Sequence, residues 1–157
     1  MTTKLILNAN LTEVVRELSR MVQEGTIDPS VRKLAEQITI GQADPIGMVF
    51  VFVTHTFPYQ LDPINYELFI HPRRMVEDYY QGRLHSGDCD DHALLNAALL
   101  GSIGYKTRII LVDNGRSGEI NHALSQVETK IGWVDVDTTS TAPLGWFKRY
   151  DTMVIVN

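Results

Sequence analysis

One stretch of the chain is apolar around its whole circumference. After Cys89 the residues Ala93, Leu94, Leu95, Ala97, Ala98, Leu99, Leu100 and Ile103 leave almost no polar face beyond the first turn. A helix of that kind has to be enclosed by the rest of the chain. With Gly104 as its C-cap, its N-terminus, SGDCDDH, opens in the middle of the folded unit. At 157 residues a single domain over 1–157 is expected, because a chain of that length buries roughly two-thirds of its unfolded surface.

The elements around that helix follow from periodicity and caps. Asn10, with Glu13 as reciprocal partner, caps a helix whose stripe Leu11, Val14, Val15, Leu18, Met21 and Val22 stops at Gly25. Asp28-Pro29 and Asp44-Pro45 each read as a cap followed by proline in the first turn, so a second helix runs to about Ile40 and a third starts at Pro45. The run from Val49 to Val53 suits a strand or a buried helix equally, and a helix is expected. Pro58 and Pro63 predict irregular structure over 56–71, and Pro72 opens a short helix through Tyr80. Beyond Gly104 the pattern changes to short β-branched runs at 106–112, 121–128, 132–137 and 152–156, separated by turn residues. Helices first and strands afterwards imply an α+β fold with an antiparallel sheet.

Composition narrows the function. Apolar residues at 44% and charged ones at 21% exclude disordered and coiled-coil classes, and a net charge of −5 lacks the basic footprint that nucleic acid or an anionic membrane surface requires. A single cysteine rules out an internal disulfide. The first residues show no signal-peptide core, and no run approaches a membrane span, so a cytoplasmic protein is expected, with a virion or host cytoplasm as its destination if it is phage-encoded.

The chemistry centres on Cys89. It stands at or beside the first residue of the enclosed helix, where unpaired N–H groups and the helix dipole favour a thiolate, and its neighbours Gly87, Asp88, Asp90 and Asp91 are not those of a core-filling cysteine. A thiol nucleophile needs a base, and the base needs a group that fixes its tautomer. His122 opens one strand and the next carries Asp135 and Asp137 on one face, so antiparallel pairing brings a carboxylate to the imidazole, and the period of two leaves both aspartates as candidates. Asp90 and Asp91 beside the sulfur would oppose a thiolate, so they are expected to point away from it and to pin the loop, with Arg73, Arg74 or Arg83 as partners. Cys89 with His85 and His92 has the spacing of a zinc site but lacks a fourth ligand, and His55 and His71 show no partners. Neither metal nor organic cofactor is expected.

The segments GDCDDHALLNAALLGSIGY, INHALSQVE and GWVDVDTTS together resemble the transglutaminase-like superfamily of papain-like cysteine enzymes, in its bacterial and phage branch. Cys89 and His122 are 33 residues apart and His122 and Asp137 are 15 apart, and the matched motifs cover about 60 of 157 residues. The resemblance implies a papain-like fold in which Cys89 is the nucleophile, His122 the general base and acid, and Asp137 the orienting carboxylate, which decides between the two aspartates. It also implies an aromatic oxyanion partner, for which Tyr59 is the nearest match and Tyr79 and Tyr80 are rivals. The activity implied is acyl transfer from an amide or isopeptide of a protein or peptide through a thioester, resolved by water in a peptidase, amidase or deamidase. An amine-accepting transglutaminase and a catalytically silent binding or assembly module are the alternatives, the latter because the stripe from Leu11 to Val22 could dock a partner in a larger assembly.

Overall fold

A computed structural model describes residues 3–7, 10–145 and 149–156, with the backbone alone described for 3–7. In chain order it contains β1 (Thr3–Leu7), α1 (Leu11–Thr26), α2 (Pro29–Thr39), α3 (Pro45–Thr56), β2 (Tyr66–Ile70), α4 (Pro72–Tyr80), α5 (Cys89–Ser102), β3 (Thr107–Val112), β4 (His122–Thr129), β5 (Gly132–Val136) and β6 (Met153–Val156). The last four strands form one antiparallel sheet in the order β5-β4-β3-β6. This is the α+β architecture expected from the order of the elements. None of the described helices is long and apolar enough to cross a membrane.

Asp90 through Leu100 of α5 are all buried. Ala93, Leu94 and Ala97 pack with Leu18 and Met21 of α1 and with Ile109, Leu111, Ala123 and Val156 of the sheet. Leu95, Ala98, Leu99 and Leu100 pack with Val31, Leu34, Val49, Val53 and Met75 of α2, α3 and α4. The core is thus two apolar layers that share one helix. Of the α1 stripe, Leu18 and Met21 are buried in this core and Val14, Val15 and Val22 pack against it, while Leu11 at the start of the helix is 45% exposed.

Caps fall where the sequence places them. Asn10 and Glu13 close a reciprocal capping box, and Asp28 and Asp44 each accept first-turn N–H groups ahead of a proline. The 45–56 segment is a helix, though only one side of it is enclosed: Val49 and Val53 are fully buried while Val51 is 49% exposed. The difference arises because this helix covers the core and does not pass through it.

One correction concerns the strands. The 56–71 segment is not irregular throughout, since Tyr66–Ile70 pairs antiparallel with Thr3–Leu7, from Thr3 opposite Ile70 to Leu7 opposite Tyr66. The helical half of the chain therefore carries a two-stranded ribbon. Prolines at 58 and 63 end before that strand begins, and its partner lies more than fifty residues away, a pairing that no local pattern encodes.

Close approach of α1 to α4 and α5 depends on Gly25. A Cβ built there would lie 2.9 Å from Pro72 Cγ and 3.0 Å from Ala98 Cβ. Gly25→Val is expected to lower stability by about 1–3 kcal/mol through overpacking, read as a lower denaturant midpoint at unchanged slope.

Candidate active site

The start of α5 is built from its own acidic residues. The Asp88 carboxylate accepts the Asp90 N–H at 3.2 Å, and Asp91 accepts the Asp88 N–H at 3.3 Å and, from β2, the Ile70 N–H at 2.7 Å. Gly87 allows Asp91 to sit this close, since a Cβ there would be 2.6 Å from Asp91 Cβ. Asp90 and Asp91 are buried, and burial, reinforced by Asp88, pushes both carboxyl groups well above the ordinary carboxylate range. The expected arginine partners are elsewhere: Arg73 pairs with Glu77 and Asp28, while Arg74 and Arg83 both pair with Asp78. Backbone hydrogen bonds pin the Cys89 loop instead, from Gly87 N–H to the Pro58 carbonyl and from Gln60 N–H to the Gly87 carbonyl.

His122 and Asp137 come together because β4 and β5 are neighbours. His122 begins β4, Val136 ends β5 opposite Ser125, and Asp137 follows directly. His122 Nε2 lies 2.7 Å from Asp137 Oδ2, and Asp137 Oδ1 accepts the Thr139 N–H at 3.0 Å and its hydroxyl at 2.8 Å. With Nε2 committed to Asp137, Nδ1 is the ring nitrogen left for the hydrogen bond between His122 and Cys89. Burial opposes a charge on the imidazole, but hydrogen bonds and charge from Asp137 and Cys89 outweigh it and hold the pKa at about 10. For Asp137, burial acts upward and the His122 and Thr139 contacts win, keeping it below the usual carboxylate range. Asp135 lies opposite Gln126, accepts its side-chain N–H at 2.7 Å and the Tyr150 hydroxyl at 3.1 Å, and so is occupied away from the imidazole.

Cys89, His122 and Tyr59 line a cleft of about 520 Å³. Tyr59 is held there by a backbone bridge to Gly87 and is 50% exposed; burial, then the charges of Cys89 and Asp88, push its hydroxyl pKa up. The rival tyrosines are remote from it. Tyr79 stacks edge-on with Phe52, and Tyr80 hydrogen-bonds Gln37. His85 Nε2 meets the Thr56 carbonyl at 2.9 Å and His92 Nδ1 meets Thr138 Oγ1 at 2.8 Å, so neither joins Cys89 in a ligand set. His55 bonds the Val51 carbonyl, and His71 does have partners: its Nδ1 accepts the Arg73 N–H and its Nε2 lies 3.2 Å from Glu24.

Sequence reasoning missed a tether between α5 and Asp137. Asn96 Nδ2 donates to Thr138 Oγ1 at 2.9 Å, and with His92 it holds Thr138 against the helix. His92 and Asn96 are the only polar side chains over 92–100 and are four residues apart, a one-sided polar stripe that could have been seen. Burial keeps His92 below its ordinary pKa, so this contact is made by a neutral ring.

Thr138→Val is expected to destabilise the fold by about 1–3 kcal/mol, because buried His92 and Asn96 lose their shared partner, and Thr138→Ser to recover most of the loss in equilibrium unfolding. A second expectation concerns His122. Its pKa is raised, so the stabilisation from the charged ring is complete below the unfolded value of about 6.5 and is lost as pH rises through about 10. Ring nitrogen NMR should show a midpoint near 10, and Asp137→Asn should lower it by at least about one unit.

Comparison with known proteins shows the family and the fold. A family model described as transglutaminase-like superfamily matches residues 32–138, more than half of the chain. A candidate cysteine protease from Cytophaga hutchinsonii has a similar fold at TM-score 0.58 and 13% identity, covering 91% of this chain and 52% of its own. The periplasmic domain of TgpA from Pseudomonas aeruginosa, bound to ethylmercury, matches at TM-score 0.53 and 22% identity, covering 76% of this chain and 49% of its own. The chain therefore spans about half the length of these two proteins. No curated protein matches it significantly. With the matched region running through α5 and the β4–β5 pair that carry Cys89, His122 and Asp137, the chain belongs to the transglutaminase-like superfamily.

Proposed function

We propose that the protein is a cysteine-dependent acyl-transfer enzyme that hydrolyses an amide or isopeptide bond in a protein or peptide. The observation that carries this reading is the imidazole of His122, bonded through Nε2 to Asp137 at 2.7 Å and hydrogen-bonded to the Cys89 thiol at a helix N-terminus. The Cys89 thiol gives its proton to His122 Nδ1 and its Sγ forms a bond to the carbonyl carbon, whose C–O π electrons move to the oxygen as negative charge. The Cys89 N–H, which the Asp88 cap does not take, and the Tyr59 hydroxyl are the donors for that oxygen. His122 passes its Nδ1 proton to the leaving nitrogen as the C–N bond breaks, which leaves a thioester on Cys89. His122 then takes a proton from water as the water attacks, the thioester opens, and the product leaves as a carboxylic acid. Asp137 orients the ring and steadies its positive charge throughout.

Water is favoured as the acyl acceptor because the cleft is open, with Tyr59 half-exposed beside it. An amine acceptor competes with bulk water only in a site that excludes it.

Incubation with candidate peptides, followed by intact-mass measurement, should trap an acyl adduct on the wild type and none on Cys89→Ala, with release to water leaving free enzyme. Substantial turnover by purified, folded Cys89→Ala would overturn the assignment. Asp137→Asn should lower kcat on the order of 10³–10⁴-fold, against less than about tenfold for Asp135→Asn, which faces Gln126 and Tyr150.

A further inference from the structure

Beside Cys89 the cleft wall is acidic. Glu67, Asp88, Asp90 and Glu119 line it together with Cys89 and His122, and no lysine or arginine is among its described lining residues. Asp62 stands behind them, with carboxylate oxygens of Asp62, Glu67 and Asp88 all within 4.8 Å of one another. Elsewhere the protein treats its acidic groups differently. Asp78 is held between Arg74 and Arg83, Asp28 faces Arg73, and Arg20 bridges Glu17 and Glu24. Among the described residues, no basic side chain pairs with Asp62, Glu67, Asp88 or Asp90.

A second observation points to a missing ligand. Asp90 is only 5% exposed, lines the cleft, and its Oδ1 has no hydrogen-bond partner. A buried carboxylate oxygen without a partner is costly and uncommon. The electrostatics agree: burial, then Asp88, push Glu67 above the ordinary carboxylate range and do the same to Asp62 against its Leu68 hydrogen bond, while burial, then Cys89, Asp88 and Asp90, push up Tyr59.

We infer that this wall selects substrates that carry a cationic group, an ammonium or guanidinium, close to the carbonyl attacked by Cys89. The inference rests on the reading of Cys89 as the nucleophile. The cation supplies the partner that these acidic side chains lack and draws the carboxyl groups that burial raises back toward their charged form, and the low-dielectric walls of the cleft strengthen that attraction relative to bulk water. It also relieves a conflict within the site, because the carboxylates repel the developing negative charge on the oxyanion while a cation among them does not.

Alkylation of Cys89 separates the two claims. Rate constants are measured by intact mass at pH 7, in chelator and low salt, for three reagents with one leaving group: anionic iodoacetate, neutral iodoacetamide, and an iodoacetamide bearing a trimethylammonium tail. Each rate is divided by that of the same reagent with N-acetylcysteine amide. The corrected cation-to-anion ratio should be about tenfold or more, shrink in 0.5 M salt, and fall severalfold in Glu67→Gln and in Asp62→Asn. Glu36→Gln, which removes an equal charge from the exposed Arg32 pair on α2, should leave the ratio as it was. A ratio of one or below, as the nearby imidazolium alone would give by attracting iodoacetate, overturns the inference, and so does a ratio that Glu67→Gln and Asp62→Asn leave unchanged. The neutral reagent reports on the nucleophile itself: its rate should fall in His122→Ala, and a rate indifferent to that change counts against Cys89 as the nucleophile whatever the ratio.

Discussion

Complete enclosure of α5 is the constraint on which the rest of the structure depends. Eleven consecutive residues, Asp90 through Leu100, are buried, so α1 must close one side, α2 to α4 another, and the sheet the remainder. The only part of such a helix that can reach solvent is an end. Gly104 turns the chain away at the C-terminus with φ +100°, and the N-terminus emerges at the cleft. The thiol is therefore fixed in space by roughly the whole apolar core, and no loop can carry it away from the imidazole.

That placement has an electrostatic consequence. The helix start needs acceptors for its first N–H groups, and Asp88 and Asp91 supply them in a reciprocal box. Acidic side chains suit the dipole, yet Asp90 and Asp91 are buried, and desolvation acts against their charges. Asp91 offsets this by accepting two backbone N–H groups, one of them from Ile70 of β2. The ribbon of β1 and β2 thereby serves the site: it brings a main-chain donor to a carboxylate that would otherwise destabilise the turn holding Cys89.

Much of this was legible from local pattern, and the remainder was not for identifiable reasons. The caps at Asn10, Asp28 and Asp44 and the apolar circumference of α5 are encoded within a few residues of one another, and the meeting of His122 with a carboxylate follows from the short turn that pairs two consecutive strands. The β1–β2 pairing joins Thr3 to Ile70, and its register depends on a contact that neither segment announces alone. Partner choice among charges was equally hidden. Asp90 and Asp91 looked suited to arginines, but Asp78 lies one turn after Arg74 and takes both Arg74 and Arg83, a local solution that leaves the distant carboxylates without a cation. The choice between Asp135 and Asp137 needed more than alternation, since both point to one face, and it is Gln126 and Tyr150 that remove Asp135 from the contest.

The buried tether explains how two elements of different kinds hold one geometry. Cys89 rides on a helix whose position the core determines, whereas His122 and Asp137 ride on strands whose position the sheet determines. Independent layers can slide by an ångström without losing apolar burial, because dispersion and hydrophobic attraction are not directional. Hydrogen bonds are directional, and His92 and Asn96 each make one to the same Thr138 oxygen, at 2.8 and 2.9 Å, one residue beyond Asp137. Their cost is visible in the unpartnered Oδ1 of Asn96, sealed in the interior. An apolar layer at those three positions would be easier to stabilise, but it would leave the distance between helix and strand to packing alone. The polar contacts fix that distance at the point where a thiol, an imidazole and a carboxylate have to align.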